Sequence, residues 1–121
     1  MATTLRNFTP HECNLMEGDE VVLTIPSEGM ARCDEQRDEE HPTILVVVDS
    51  TGENEISISV LPKSYGPVTG LPTSEPGVLF IVSQLVAERL PEREDLIVPD
   101  NMVRGERGVI LGCRSFSRPA Q

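Results

Sequence analysis

Three arginines near the C-terminus, Arg104, Arg107 and Arg114, fall on what reads as one hairpin. A guanidinium is a planar fork that grips phosphate or carboxylate through paired N–H bonds. If Arg104 and Arg114 flank the turn, their forks face one concavity and make a pocket for a small phosphorylated ligand. Phe80 offers a face for a purine ring. Asp95, Asp100 or Asn101 supplies donors and acceptors for ribose hydroxyls. Each residue also has a plainer reading. An arginine on a hairpin is usually a surface charge, and Phe80, inside an apolar run, is usually core.

Catalysis has less to build on. His11 and Cys13 are two apart, so on a strand they share a face and form a conceivable Cys–His couple. No nucleophile elbow, paired-acid setting or orienting third residue accompanies them, and we assign no catalytic residue. His11 and His41 lie far apart, and the acidic stretch 34–40 lacks the alternating pattern of a calcium loop. Three cysteines without a CxxC spacing give neither a zinc site nor a disulfide framework. No metal and no cofactor is expected.

The composition narrows the partners. Net charge is −10, from 10 basic and 20 acidic residues. General nucleic-acid binding needs Lys and Arg to displace counterions, so that class is excluded. Aromatic residues make up only 3% of the chain, which leaves no stacking platform for single strands. The charge is uneven: residues 1–61 hold 3 basic and 13 acidic side chains, while 62–121 hold 7 of each. No apolar run approaches the length of a membrane span, and no basic-then-apolar leader opens the chain. A soluble protein of a reducing host cytoplasm is expected.

These side chains need elements to position them. At 121 residues a single domain, 1–121, is expected. Cys13 and Leu15, then Val21, Leu23 and Ile25, alternate around Glu17-Gly18-Asp19 and predict a hairpin. A third strand starts near Met30-Ala31-Arg32. Residues 34–41, almost wholly charged, read as a solvated loop. Thr43–Val48 is the densest β-branched run and reads as the best strand core, with Ile56, Ile58 and Val60 as its hairpin partner. Residues 62–77 hold so many Pro and Gly that no regular element is expected. Val78–Val82 reads as a central strand, and Ser83 as the N-cap of the one helix, Gln84–Leu90, stopped by Pro91. Leu96–Val98 is a short strand ended by Pro99-Asp100. Val103 to Phe116 is strand, Gly105–Gly108 turn, strand. The fold class is α+β, mostly antiparallel β hairpins with one short helix. A leftover edge strand in so small a sheet predicts a β-rich homo-oligomer.

Several blocks carry a resemblance. NFTPHECNLM at 7–16 is similar to an N-terminal NLTPH-type signature of small proteins in phages and prophages. IVSQLVAERLPEREDLIVPDNMVRGERGVILGCRSF at 81–116 resembles the C-terminal half of the same group, and SEGMAR at 27–32 and GLP at 70–72 match in kind. Together they cover about half of the chain. The segment VRGERGV departs from the group's VRDExGR, with Gly105 in place of an acid and the second arginine one position early, at Arg107. Residues 34–61 do not match, and Phe80 stands where the group often has Tyr.

The resemblance extends to the first described type of Thoeris anti-defence protein. It implies a strand-rich phage sponge that sequesters, without cleaving, a cyclic ADP-ribose-type signal made by bacterial TIR enzymes. It also implies possible cyclic oligonucleotide binding at separate sites, and a homodimer or a hexamer built as a trimer of dimers. On that basis Arg32, Phe80, Asp100, Arg104 and Arg114 are expected in a pocket shared by two chains. Thr9, Pro10 and His11 are expected at a second ligand site. The competing expectations are a phage virion or accessory protein that assembles through strand edges, and a small enzyme that degrades the signal.

Overall fold

A computed structural model describes residues 2–119. They group into two compact units, one of residues 2–33 and 67–119, the other of residues 34–66. The described residues are strand-rich with a single short α-helix, as the sequence predicts. No helix among the described residues is long and apolar enough to cross a membrane.

The first unit is built on a six-stranded sheet. Its strands are β1 (Thr4–Asn7), β2 (Cys13–Glu17), β3 (Glu20–Ile25), β8 (Val78–Ile81), β9 (Leu96–Arg104) and β10 (Ile110–Ser117), in the order β1-β8-β9-β10-β2-β3. The hairpins β2–β3 and β9–β10 are antiparallel, as their turn signals predict. The pairs β1–β8, β8–β9 and β10–β2 are parallel. Parallel neighbours need a crossover, and α1 (Gln84–Arg89) supplies the one from β8 to β9. Asn7, at the end of β1, bridges to Ser27, just past the end of β3, so the sheet curls almost to closure.

The apolar run at 78–82 explains this core. Side chains alternate faces along a strand, so a run without polar residues must be covered twice. Phe80 and Val82 join Phe8, Val86, Leu96 and Val98 in one cluster. Ile81 joins Cys13, Ile25, Ile97 and Cys113 in the other. Phe80, Ile81 and Val82 are all fully buried. The helix packs Val86 and Ala87 inward, and the Ser83 hydroxyl accepts from the Val86 N–H as its N-cap. Leu85, though apolar, is exposed.

Two glycines are fixed by close approach. A Cβ on Gly112 would lie 2.5 Å from the Asn14 carbonyl oxygen and 2.8 Å from Met16 Sδ, so β10 packs on β2 only without one. Gly70 has φ +86°, and a Cβ there would lie 2.5 Å from the Met30 carbonyl oxygen.

Four expectations are corrected. Residues 34–37 are not loop: they continue β4 (Arg32–Arg37), and it pairs with β7 (Lys63–Thr69), which lies in the stretch expected to be irregular. A two-stranded ribbon has outer edges that need no donor, so Pro67 is tolerated. Lys63 Nζ lies 2.9 Å from Glu35 Oε1, an opposite-charge contact that suits strands too polar for a core. Pro99 does not end its strand: β9 runs through it to Arg104, with Pro99 opposite Phe116. The dense run 43–48 does form β5 (Thr43–Val48), paired with β6 (Glu55–Val60). It is not core, however. Ile44, Val46 and Val48 are 58, 66 and 57% exposed. The sequence does not predict strand β1; its partly buried Leu5 packs against the Ile81 cluster beside β8.

Candidate functional site

The buried amide of Asn7 organises the site. It is 0% exposed. Its Nδ2 donates to the carbonyls of His11 (2.9 Å) and Ile25 (3.0 Å), and its Oδ1 accepts from the Thr9 N–H at 2.9 Å. The Thr9 hydroxyl lies 2.7 Å from the same Oδ1. One side chain thus satisfies the loop 8–12 and the end of β3 together. Ser27 Oγ adds a 2.6 Å bond to the Thr9 carbonyl. The result fixes Thr9 and His11 against the mouth of β2.

There the first unit holds a cleft of about 540 Å³. Its rim is Thr9, His11, Glu12, Asn14 and Ser83. Its walls and floor are Cys13, Cys113, Val82, Met102, Ile110 and Leu111. Small-molecule sites are commonly apolar hollows of a few hundred Å³ with a few polar groups, and this one fits that description. Among the described residues the lining contains no Arg or Lys. Ser83 accepts from the helix and keeps its proton to donate. Asn14 is committed, donating to the Leu111 carbonyl at 3.3 Å and accepting from the Thr24 hydroxyl at 2.8 Å.

The floor carries two thiols, Cys13 and Cys113, with sulfurs 3.9 Å apart. Burial, then the neighbouring Cys113, pushes the Cys13 thiol up to about 12. A thiol held that high is protonated at neutral pH and is a poor nucleophile. His11 and Cys13 share the cleft, yet this environment does not activate the sulfur. Among the described residues no grouping of three or more metal-ligating side chains occurs.

The expected pocket residues fall elsewhere. Phe80 is not an open face. It is fully buried, its ring centroid 5.8 Å from that of Phe8. Guanidiniums of Arg6 and Arg93 lie 5.7 and 5.6 Å from the Phe80 ring centroid. Both are matched by carboxylates: Arg6 by Glu28 (2.9 Å) and Glu75 (3.4 Å), Arg93 by a two-pronged contact to Asp95 (2.8 and 2.9 Å). Asp95 is therefore an ion-pair partner, and Arg93 holds its carboxyl below the usual range. Arg104 donates to the Gly108 carbonyl at 3.0 Å and closes its own turn. Arg114 reaches the Gly18 carbonyl at 3.4 Å, on a different hairpin. Within one chain the two forks are thus not brought together. Asp100 is exposed and accepts from the Asn101 N–H; Arg32 is exposed on β4. Of the second group, Thr9 and His11 line the cleft, and Pro10 is exposed between them.

Sequence reasoning missed Asn7, Arg6 and Arg93, and also Met102, Ile110 and Leu111 as lining. The NFTPH segment held a signal for Asn7: an Asx residue two before a Thr-Pro bend is well placed to bond its own loop. A second hollow, of about 470 Å³, lies beside Leu90, Leu96 and Arg118, but its other arginine is Arg93, already paired. Compared with known proteins, the chain matches no family model, no curated protein and no solved structure.

Proposed function

We propose that this is a non-catalytic binding protein that sequesters a small nucleotide-type ligand, with the base and ribose in the β2–β9–β10 cleft. One observation carries the reading: an apolar hollow of nucleoside size whose rim offers the Ser83 hydroxyl and the His11 ring. Met102 and Leu111 supply contact for a flat heterocycle. The lining has no cation, so the phosphates point outward. Arg104, in register with the lining residue Ile110, is the arginine we assign to the phosphates, which requires its fork to leave the Gly108 carbonyl, with Arg114 as a candidate from a second chain. The biological form we propose is the one the resemblance implies, a phage sponge for a cyclic ADP-ribose-type signal.

Calorimetry with cyclic ADP-ribose isomers tests this. Binding is expected for the folded protein. Met102→Trp, which fills the cleft, and Arg104→Ala, which removes the phosphate fork, should each weaken it by roughly tenfold or more. Ligand recovered after heating out the protein should be intact. Absence of heat with every cyclic nucleotide, or altered ligand, overturns the proposal. A second reading, a virion or accessory protein that assembles through strand edges, is favoured by the exposed apolar hairpin β5–β6. Its mark is stoichiometric presence in purified particles by mass spectrometry.

A further inference from the structure

The cleft floor holds two thiols that the binding proposed above does not use. Cys13 opens β2 and Cys113 lies within β10. Among the described residues these strands are registered by the single parallel pair Cys113–Leu15, so the two cysteines stand on a diagonal across the seam. The hairpins on either side carry longer ladders, from Cys13–Ile25 to Glu17–Glu20 in one and from Ile110–Arg104 to Ser117–Val98 in the other. The seam is therefore where the sheet parts most readily. Across it the two sulfurs lie 3.9 Å apart, in the cluster of Ile25, Ile81 and Ile97. Both cysteines line the cleft, which gives a water-sized oxidant a way in. Cys33 belongs instead to the packing around Phe8 and Phe80.

We propose that Cys13 and Cys113 form an oxidation site, at which hydrogen peroxide converts the dithiol to a disulfide that ties β2 to β10. The sulfurs take different parts. Burial, then the charge of Cys113 and a hydrogen bond to it, hold the proton on Cys13. Cys113 is thus the sulfur that meets peroxide as a thiolate, the reactive form, and Cys13 is the one that resolves. In the first step the Cys113 sulfur bonds to one peroxide oxygen, the O–O bond breaks, and the leaving hydroxide takes the proton that Cys113 gave up, making water. In the second the Cys13 sulfur bonds to the Cys113 sulfur, the S–O bond breaks, and the departing hydroxide takes the Cys13 proton as a second water. Two thiols lose two electrons and two protons, and one peroxide gains them. The sulfurs close from 3.9 Å to about 2.0 Å. No charge is left behind, as an apolar floor demands. The bond closes a loop of about one hundred residues and staples the seam, so the oxidised chain opens less readily there.

The site is independent of what the cleft binds, because its readout is covalent. The full chain is treated with hydrogen peroxide at neutral pH, at a dose that oxidises free glutathione; remaining thiols are then blocked in denaturant and the peptides mapped. A crosslink between the Cys13 and Cys113 peptides within one chain is expected, and dithiothreitol should restore both thiols. Amides of β2 and β10 should exchange with deuterium more slowly in the oxidised chain than in the reduced one. These two measurements need no variant. Cys13→Ser should accumulate sulfenic acid at Cys113, trapped by dimedone, at least about tenfold more than Cys113→Ser accumulates at Cys13. Both thiols free after treatment, oxidation that dithiothreitol does not reverse, crosslinks only to Cys33 or between chains, unchanged exchange, or equal trapping in the two variants would each overturn it.

Discussion

Two apolar runs of similar make-up meet opposite fates. Val78–Val82 is buried to the last residue in its second half, while Thr43–Val48 leaves Val46 66% exposed. Composition says strand in both cases, and both are strands. What differs is supply. The first run has β1 and β9 at its edges, with Phe8 and Val86 on one face and Cys113 and Ile25 nearby on the other. The second has one partner strand and no cover among the described residues on either face. An apolar run states a demand for burial; the rest of the chain, or another chain, decides whether the demand is met.

The sharpest way to break this contrast is to truncate each run. Phe80→Ala should cost about 3–5 kcal/mol in chemical denaturation, because a large cavity opens between two matched guanidiniums. Val46→Ala, measured at dilution, should cost under about 1 kcal/mol. Equal costs would mean that the two runs are covered alike. Next comes Asn7→Ala, which removes the acceptor of the Thr9 N–H and a donor to the Ile25 carbonyl, and leaves the His11 carbonyl with the Thr9 hydroxyl alone; a loss of about 2 kcal/mol or more is expected from the same measurement.

Titration should separate the regions further. The folded value for Cys13, about 12, lies above its ordinary 9.0, so the native state holds that proton more tightly. Its contribution is intact below about pH 9 and is lost as pH rises toward 12. The midpoint of chemical denaturation should therefore fall from pH 8 to 11 in the native chain and fall less in Cys13→Ala. A cysteine reagent should modify half-buried Cys33 before Cys13 or Cys113. The hairpin tip gives the opposite sign and the smallest effect. Bonds from Thr51 and Asn54 lower Asp49 to about 2, below its ordinary 3.8. Its support is present above that ordinary value and fades as pH falls through 2, so amide exchange at residues 49–54 should quicken in acid while the core is unchanged.

Much of the fold was legible because local chemistry specified it. Gly18-Asp19 turns one hairpin, Ser83 caps the helix, and the Gly105–Gly108 turn joins β9 to β10. The misreadings share a cause. Strands β4 and β7 are strands by virtue of each other, and neither Asp34–Arg37 nor Pro67 announces its partner. Parallel pairing of β1 with β8 joins segments some seventy positions apart, which no local pattern encodes. The site was less legible still. Thr9 and His11 were singled out and do line the cleft, but Arg104 and Arg114 turn to separate carbonyls, because register rather than spacing decides where a side chain on a ribbon points.

The claim that the cleft beside Asn7 holds a nucleotide-type ligand is tested most directly by amide NMR titration of the full chain with a cyclic ADP-ribose isomer. Saturable shifts confined to the 9–14 loop, Ser83 and the Met102–Cys113 hairpin are expected, abolished by Met102→Trp in a protein whose other resonances are unchanged. Shifts that cluster elsewhere, or a spectrum that does not move at all, would contradict it.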